Sequence, residues 1–370
     1  MAEKPEIIVF STAYAPFIGG AELAIREIAR RLSDAYAFTI VTARSRSDLV
    51  STEVVPEGRI VRIGSGGRFD KLLLPFFGFF AVRKMIKNKK NILFWGMMIS
   101  HASLAAYALK LLYKHIPFVL TLQEGDREWE RMPSSLFWPA VLGRADEVTV
   151  ISNFLSALAR AKGYRKNISV IPNGVPEHLL EIAHNEHEVP IIFSASRLVR
   201  KNGMDILLRA CARLKDVHSF HVIIAGDGPE RRSLEMLAQH LGMSDRVRFL
   251  GSVPYEKLGD WYQKADIFAR PSRSEGLGSA FLEAMAASLI TVGTSVGGIS
   301  DFLKDKDTGF VARPDDVDSM ASALRKALIL PEHERAHMIQ KAKASVANRF
   351  LWKDIALRMG SVFARSIKNI

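Results

Sequence analysis

Short runs of apolar, largely β-branched and aromatic residues recur along this chain, and most are followed by a segment long enough for a helix. Residues 7–11, 38–42, 60–63, 92–95, 118–122 and 147–151 form one series. A further run, 168–171, ends on the turn signal Pro172-Asn173-Gly174. The series then restarts at 190–195, 221–225, 246–250, 267–269 and 290–293. Strands that alternate with helices in this way build a parallel sheet covered on both faces. Two such series predict an α/β protein of two doubly wound, Rossmann-like domains. The polar stretch 181–188 reads as the linker. The expected divisions are 1–175, 189–348 and a last helix, 349–370, whose Phe350, Ile355, Met359 and Phe363 mark an apolar face.

The chain's 370 residues suit two domains, and 48% hydrophobic content excludes a disordered or fibrous chain. Its one cysteine, Cys211, forbids an internal disulfide and fits a reducing compartment. The start of the chain lacks the long apolar core of a secretion signal. Residues 72–82 are too short to span a bilayer. Residues 92–113 are long enough but carry Ser100, His101, Ser103 and Lys110, and Gly96-Met97-Met98 reads as a break between a strand and a helix. The expected location is cytoplasmic.

The net charge of +12 is concentrated: nine Lys/Arg and one acid lie in residues 59–90. Within that stretch sits an aromatic run, 76–80, which Pro75 and Gly78 are expected to interrupt. Basic and apolar residues together suit an anionic membrane surface; a core-facing helix with a charged far side fits the same residues. No nucleic-acid module is visible, and no G-x-G-x-x-G follows a strand, which argues against a dinucleotide-dependent dehydrogenase.

In open parallel sheets ligands bind beyond the carboxyl ends of strands. Four loops there carry suitable residues. Gly19 and Gly20 precede a helix, where free N–H groups favour an anion; a plain tight turn fits as well. Arg197, Arg200, Lys201 and Asn202 follow the first strand of the second domain, and clustered cations there suit a pyrophosphate. Gly226-Asp227-Gly228-Pro229 is a glycine turn into a helix. The most informative loop runs from Pro271 to Glu275, Gly276, Leu277, Gly278 and Ser279, with a helix expected to start near Ser279. Glu275 and Glu283 would flank that helix start. Carboxylates beside an anion site suit sugar or ribose hydroxyls, which donate hydrogen bonds to them.

Taken together these residues resemble the retaining glycosyltransferases of family 4, which have the two-domain GT-B fold. The most specific element is an E-x7-E pair, Glu275 and Glu283, inside R-P-S-x-x-E-G-x-G-x-x-x-L-E-A-M-A. Arg197-Leu198-Val199, Gly226-Asp227-Gly228-Pro229, Phe249-Leu250-Gly251, Gly297-Gly298 and Thr308-Gly309-Phe310-Val311 follow in the expected order. The resemblance implies two domains facing each other across a cleft, with the last helix crossing back to the first domain. It implies that Arg197 and a nearby lysine bind the donor diphosphate, that Gly19 and Gly20 approach the donor, and that Gly226 lies beside it. Glu275 with Gly276, Leu277, Gly278 and Ser279 would position sugar and phosphates, Glu283 would hold the ribose, and the backbone near Leu250 would meet the base. The implied catalytic set is Glu275, Arg197, Lys201 and Gln123, with no metal and no cofactor. The partners are a nucleotide-diphosphate sugar and a glycan or lipid-linked acceptor, with no nucleic acid.

Two positions depart from the family pattern. Asn202 stands where the family has its lysine, with Lys201 one residue earlier, and Gln123 stands in a slot usually held by histidine. A glutamine donates a hydrogen bond but carries no imidazole proton. The departures keep open a non-catalytic sugar-nucleotide-binding protein, while a GT-B epimerase should lack the E-x7-E run.

Overall fold

A computed structural model describes residues 4–17, 19–87, 89–123, 138–182 and 187–368. The chain divides into two compact units, one of residues 1–173 with 352–370 and one of residues 174–351.

The first unit runs β1 (Glu6–Phe10), α1 (Gly20–Leu32), β2 (Ala37–Ala43), β3 (Thr52–Val55), β4 (Gly58–Ile63), α2 (Asp70–Ile86), β5 (Ile92–Met97), α3 (His101–Leu112), β6 (Phe118–Leu122), α4 (Trp138–Arg144), β7 (Glu147–Val150), α5 (Asn153–Ala161) and β8 (Ile168–Val170). The described strands form one sheet in the order β3-β4-β2-β1-β5-β6-β7-β8. Only β3 is antiparallel to its neighbour. The central strands β1, β5 and β6 are buried along their whole length, as strands covered on both faces must be.

The second unit runs β9 (Ile191–Ala195), α6 (Met204–Ala212), β10 (His221–Ala225), α7 (Arg231–His240), β11 (Val247–Gly251), α8 (Leu258–Gln263), β12 (Ile267–Arg270), α9 (Ser279–Ala286), β13 (Ile290–Thr294), β14 (Phe310–Ala312), α10 (Val317–Leu328) and α11 (Glu332–Arg349). Its described strands are all parallel, in the order β11-β10-β9-β12-β13-β14. Leu207, Cys211, Val222, Ile267 and Leu324 belong to its core. The order reverses between β9 and β12, which opens a crevice at their carboxyl ends.

The last helix, α12 (Trp352–Lys368), packs within the first unit. Its Phe363 ring meets Trp95 of β5 edge to face at 5.2 Å. A side chain added at Gly360 would touch Leu32 of α1, so the glycine allows that close approach.

Three local expectations need correction. The segments Thr52–Val55 and Phe310–Ala312 are short strands that the apolar pattern did not mark, one exposed at the sheet edge and one only three residues long. Pro75 and Gly78 do not interrupt α2, which runs unbroken from Asp70 to Ile86. An interior proline costs about 3 kcal/mol and a glycine about 1 kcal/mol. Leu74, Val82 and Ile86 are buried on that helix, at about 1.5–3 kcal/mol each, so packing exceeds propensity. Gly78 lies on the same buried line and faces Ala105 of α3, where an added Cβ would sit 3.6 Å away.

Candidate functional site

In the second unit the loops after β9, β10, β12 and β13 are bonded into one platform. The loop after β9 turns at Arg197 to Asn202. Asn202 is buried, and its side-chain amide donates to the Arg197 carbonyl at 2.6 Å. It therefore braces the loop from behind, while Arg197 is exposed and Lys201 half-buried. Gly226, at φ 140°, lies so close to this loop that a Cβ would sit 1.8 Å from the Ser196 carbonyl oxygen. The glycine turn after β10 is thus required by packing alone.

At the edge of the sheet the β10–β11 ladder passes from Phe249 to Gly251 and skips Leu250. The bulge frees the Leu250 backbone from that ladder, at the place where the resemblance puts the base.

The loop after β12 holds the first glutamate. Arg270, the last residue of β12, is only 6% exposed. Its guanidinium pairs with Glu275 Oε1 at 2.6 Å, donates to Ser272 Oγ at 3.1 Å and to the Ala195 carbonyl at 3.2 Å, and lies over the Phe281 ring. Ser272 Oγ donates to the same carboxylate oxygen at 3.2 Å. The Glu275 backbone is fixed as well, because Gly298 N–H donates to its carbonyl at 3.4 Å. Gly297 takes φ 54°, and a Cβ there would meet that carbonyl oxygen at 1.8 Å. Gly276, Leu277 and Gly278 then lead into α9, which starts at Ser279 as expected from sequence. The Phe281 N–H turns back to the Gly278 carbonyl at 3.0 Å, and the N–H groups of Ser279 and Ala280 have no intrahelical acceptor.

Arg273 ties the loops of β12 and β9 together. It makes a two-point pair with Asp205 at 2.8 and 2.9 Å, also pairs with Asp315, and its N–H donates to the Lys201 carbonyl at 2.7 Å. Burial pushes the Asp205 carboxyl up, but the Arg273 guanidinium outweighs it and holds the group below its ordinary value.

Glu283, one turn into α9, is 4% exposed and accepts from the Tyr262 hydroxyl at 2.8 Å. Burial pushes its carboxyl above the usual range, opposed by the hydroxyls of Tyr262 and Tyr255 and by Arg270. Glu275 and Glu283, alike in sequence, therefore differ in setting: one is ion-paired at a loop surface, the other enclosed among phenols.

In the first unit, Gly19 caps α1 and its N–H is taken by Glu22 at 2.9 Å. Both Gly19 and Gly20 are exposed. Gln123 and Asn173 exchange two amide hydrogen bonds, each 3.1 Å, and Asn173 also donates to the Gly20 carbonyl at 3.4 Å. Gln123 thus has its amide nitrogen and its carbonyl oxygen both engaged by Asn173. His101 opens α3, half-buried, with its pKa lowered by burial and by Lys71. The Asp305–Asp307 segment lies in a turn, and Asp316 caps α10.

Arg270, Arg273, Tyr262 and Asn173 are the members that sequence reasoning did not assign. Arg270 stands inside the quoted run at a strand end, and that position was its only signal. Tyr262 and Asn173 meet their partners across 21 and 50 residues, beyond any local pattern.

The chain matches two family models: one described as "Glycosyltransferase Family 4" over residues 18–179, and one described as "Glycosyl transferases group 1" over residues 175–345. It is 32% identical to a phosphatidylinositol N-acetylglucosaminyltransferase subunit from Arabidopsis thaliana over 54% of this chain and 44% of that one. The match thus spans less than half the length of that relative. It is 29% identical to a GDP-mannose-dependent alpha-(1-6)-phosphatidylinositol monomannoside mannosyltransferase of Mycobacterium tuberculosis, over 62% of this chain and 65% of that one. Among solved structures, the sucrose-phosphate synthase of Thermosynechococcus elongatus covers all of both chains with a TM-score of 0.86 at 20% identity, which establishes a shared GT-B fold.

Proposed function

We propose, for a chain that belongs to the family 4 glycosyltransferases, that it transfers a hexosyl unit from a nucleotide-diphosphate sugar to a glycan or lipid-linked acceptor, with retention at the anomeric carbon. The observation that carries this reading is the Arg270-held Glu275 beside the exposed Arg197 and the start of α9. Leu250, Gly226, Arg197 and Glu275 follow the strand order β11, β10, β9, β12. Three strand steps of about 4.8 Å give a row of about 14 Å. That is room for base, ribose and diphosphate in sequence.

In this reaction the bond between the anomeric carbon and the diphosphate oxygen breaks, and the acceptor oxygen bonds the same face of the sugar. The acceptor proton passes to the departing phosphate. Arg197, Lys201 and the amides at Ser279 meet the charge that grows on the diphosphate, and these fixed donors do so without a metal. Glu275, its orientation set by Arg270, accepts from sugar hydroxyls and holds the anomeric carbon in place. Glu283 serves the ribose.

A second reading, a binding protein without turnover, draws on Gln123, whose amide is taken up by Asn173. A thermal-shift panel of nucleotide sugars identifies the donor, since a ligand at 100 times its Kd adds about 2.7 kcal/mol. Incubation of that donor with glycan and lipid-linked acceptors, with the product anomer read by NMR, then decides. An α-linked product from an α-linked donor supports retaining transfer. An inverted product removes the mechanism, and binding without any transfer favours the second reading.

A further inference from the structure

Helix α2 carries two apolar faces, and the first unit covers only one of them. Leu74, Gly78, Val82 and Ile86, spaced by four, are buried. Phe69, Leu72, Leu73, Phe76, Phe77 and Phe80, at the helical spacing of three and four, are 45–61% exposed. The exposed rings touch one another, Phe76 meeting Phe77 at 5.3 Å and Phe80 at 4.9 Å. Large apolar side chains grouped this way mark a site of association.

The same line continues at three- and four-residue spacing into Arg83, Lys84 and Lys87, all exposed. Arg68 and Lys71 stand exposed at the other end. The helix's one acid, Asp70, is buried, and its carboxylate accepts from the Gly66 and Gly67 N–H groups. Beside the stripe, Leu73, Phe77 and Ala81 line an open, mostly apolar groove of about 490 Å3 with Ile63 and Gly64 at the end of β4. Arg62, Ser65 and Asp70 line it as well, and Arg62 is buried with its guanidinium held by Glu53 and by the Val50 and Ala15 carbonyls. No described helix is long and apolar enough to cross a membrane.

We infer that α2 docks the protein flat on an anionic lipid surface, with its phenylalanine stripe in the headgroup–acyl boundary and Arg83, Lys84 and Lys87 on the headgroups. Aromatic side chains suit the interface, and a cluster of cations at one end of an apolar stripe complements anionic headgroups. This deepens the proposed function by making the acceptor lipid-linked, yet vesicle binding is read without any sugar transfer, so the two fail separately.

The test is co-sedimentation of the full chain with vesicles of phosphatidylcholine alone and with phosphatidylglycerol, at low and high salt. Docking predicts sedimentation with the anionic vesicles that weakens as salt rises. Reversing Arg83, Lys84 and Lys87 to Glu lowers partitioning on the order of 100-fold, at about 1 kcal/mol per cation. Phe76→Ser and Phe80→Ser each lower it about tenfold with an unchanged thermal midpoint, because both rings are exposed. No sedimentation with anionic vesicles at low salt overturns the inference. So does unaltered binding by the two Phe variants, and so does a self-associated state of the wild type that these variants abolish and lipid does not disturb.

Discussion

Gln123 and Asn173 hold each other by a closed pair of amide hydrogen bonds, both 3.1 Å, and Asn173 hands the link on to the Gly20 carbonyl. Three segments far apart in sequence, after β6, after β8 and at the start of α1, meet at this one point of the first unit. In the proposed donor site this arrangement predicts a positioning role for Gln123, exerted through Asn173 on the Gly20 backbone.

Gln123→Ala should therefore leave the buried Asn173 Oδ1 without its donor, a cost of about 1–3 kcal/mol. Asn173→Ala should lower kcat/KM about as much as Gln123→Ala does, although Gln123 alone occupies the family's histidine slot. In a double-mutant cycle the two changes should couple by about 0.5–3 kcal/mol. Additive losses, or activity lost only in the Gln123 variant, would point to direct contact between Gln123 and substrate.

Arg270 and Glu275 predict a separation of folding from turnover. Removing one partner of a fully buried ion pair costs about 3–5 kcal/mol, and with Arg270 buried but Glu275 half-buried, Arg270→Ala should destabilise the protein by less than that. Glu275→Gln keeps an acceptor oxygen for Arg270 and Ser272, and should keep most of the stability and donor binding while lowering kcat. Denaturant melts beside steady-state kinetics check both. A Glu275→Gln enzyme with full turnover would end the assignment.

Arg197 is exposed at the strand end, and Asn202 holds its carbonyl from within the loop. Arg197→Ala should weaken nucleoside diphosphate binding by about 1.5–3 kcal/mol, the range for hydrogen bonds to charged groups. Lys201→Ala should weaken it too. Asn202→Ala should weaken binding indirectly and also lower the thermal midpoint, which Arg197→Ala should not. Calorimetric titration with UDP and GDP beside thermal melts distinguishes these. Equal midpoints for the Asn202 variant and wild type would show that Asn202 does not brace the loop.

These cases show what could be read before the structure. The alternation of strands and helices, the restart after Pro172-Asn173-Gly174 and the start of α9 at Ser279 all lie in local pattern, since period and turn chemistry are written over few residues. Continuity of α2 through Pro75 was not legible, because it depends on what Leu74, Val82 and Ile86 pack against. The loops of the candidate site could be found from glycines and cations at strand ends. The distinct settings of Glu275 and Glu283 could not, since Arg270 and Tyr262 reach them only through the fold.

Glu283 carries the last prediction. Burial raises its carboxyl pKa in the folded chain, while the unfolded chain keeps the ordinary value near 4.3. The folded state then binds this proton more tightly than the unfolded state. The group's contribution to stability is full below the unfolded value and is lost as pH rises through the folded one. Above the folded value the carboxylate form opposes folding, partly offset by the Tyr262 hydroxyl. Glu283→Gln removes that charge and keeps an oxygen for Tyr262 to donate to. The variant should be more stable than the wild type at pH 7, by about 0.5–2 kcal/mol, the range for single stabilising substitutions. The gap should close as pH falls towards 4. The same substitution should raise the donor KM more than it lowers kcat, because a neutral amide is a poorer acceptor for ribose hydroxyls. Thermal melts from pH 4 to 8, paired with kinetics, test both halves. A variant less stable than the wild type at pH 7 would mean that the carboxylate contributes to folding, and an unchanged KM would remove Glu283 from the donor site.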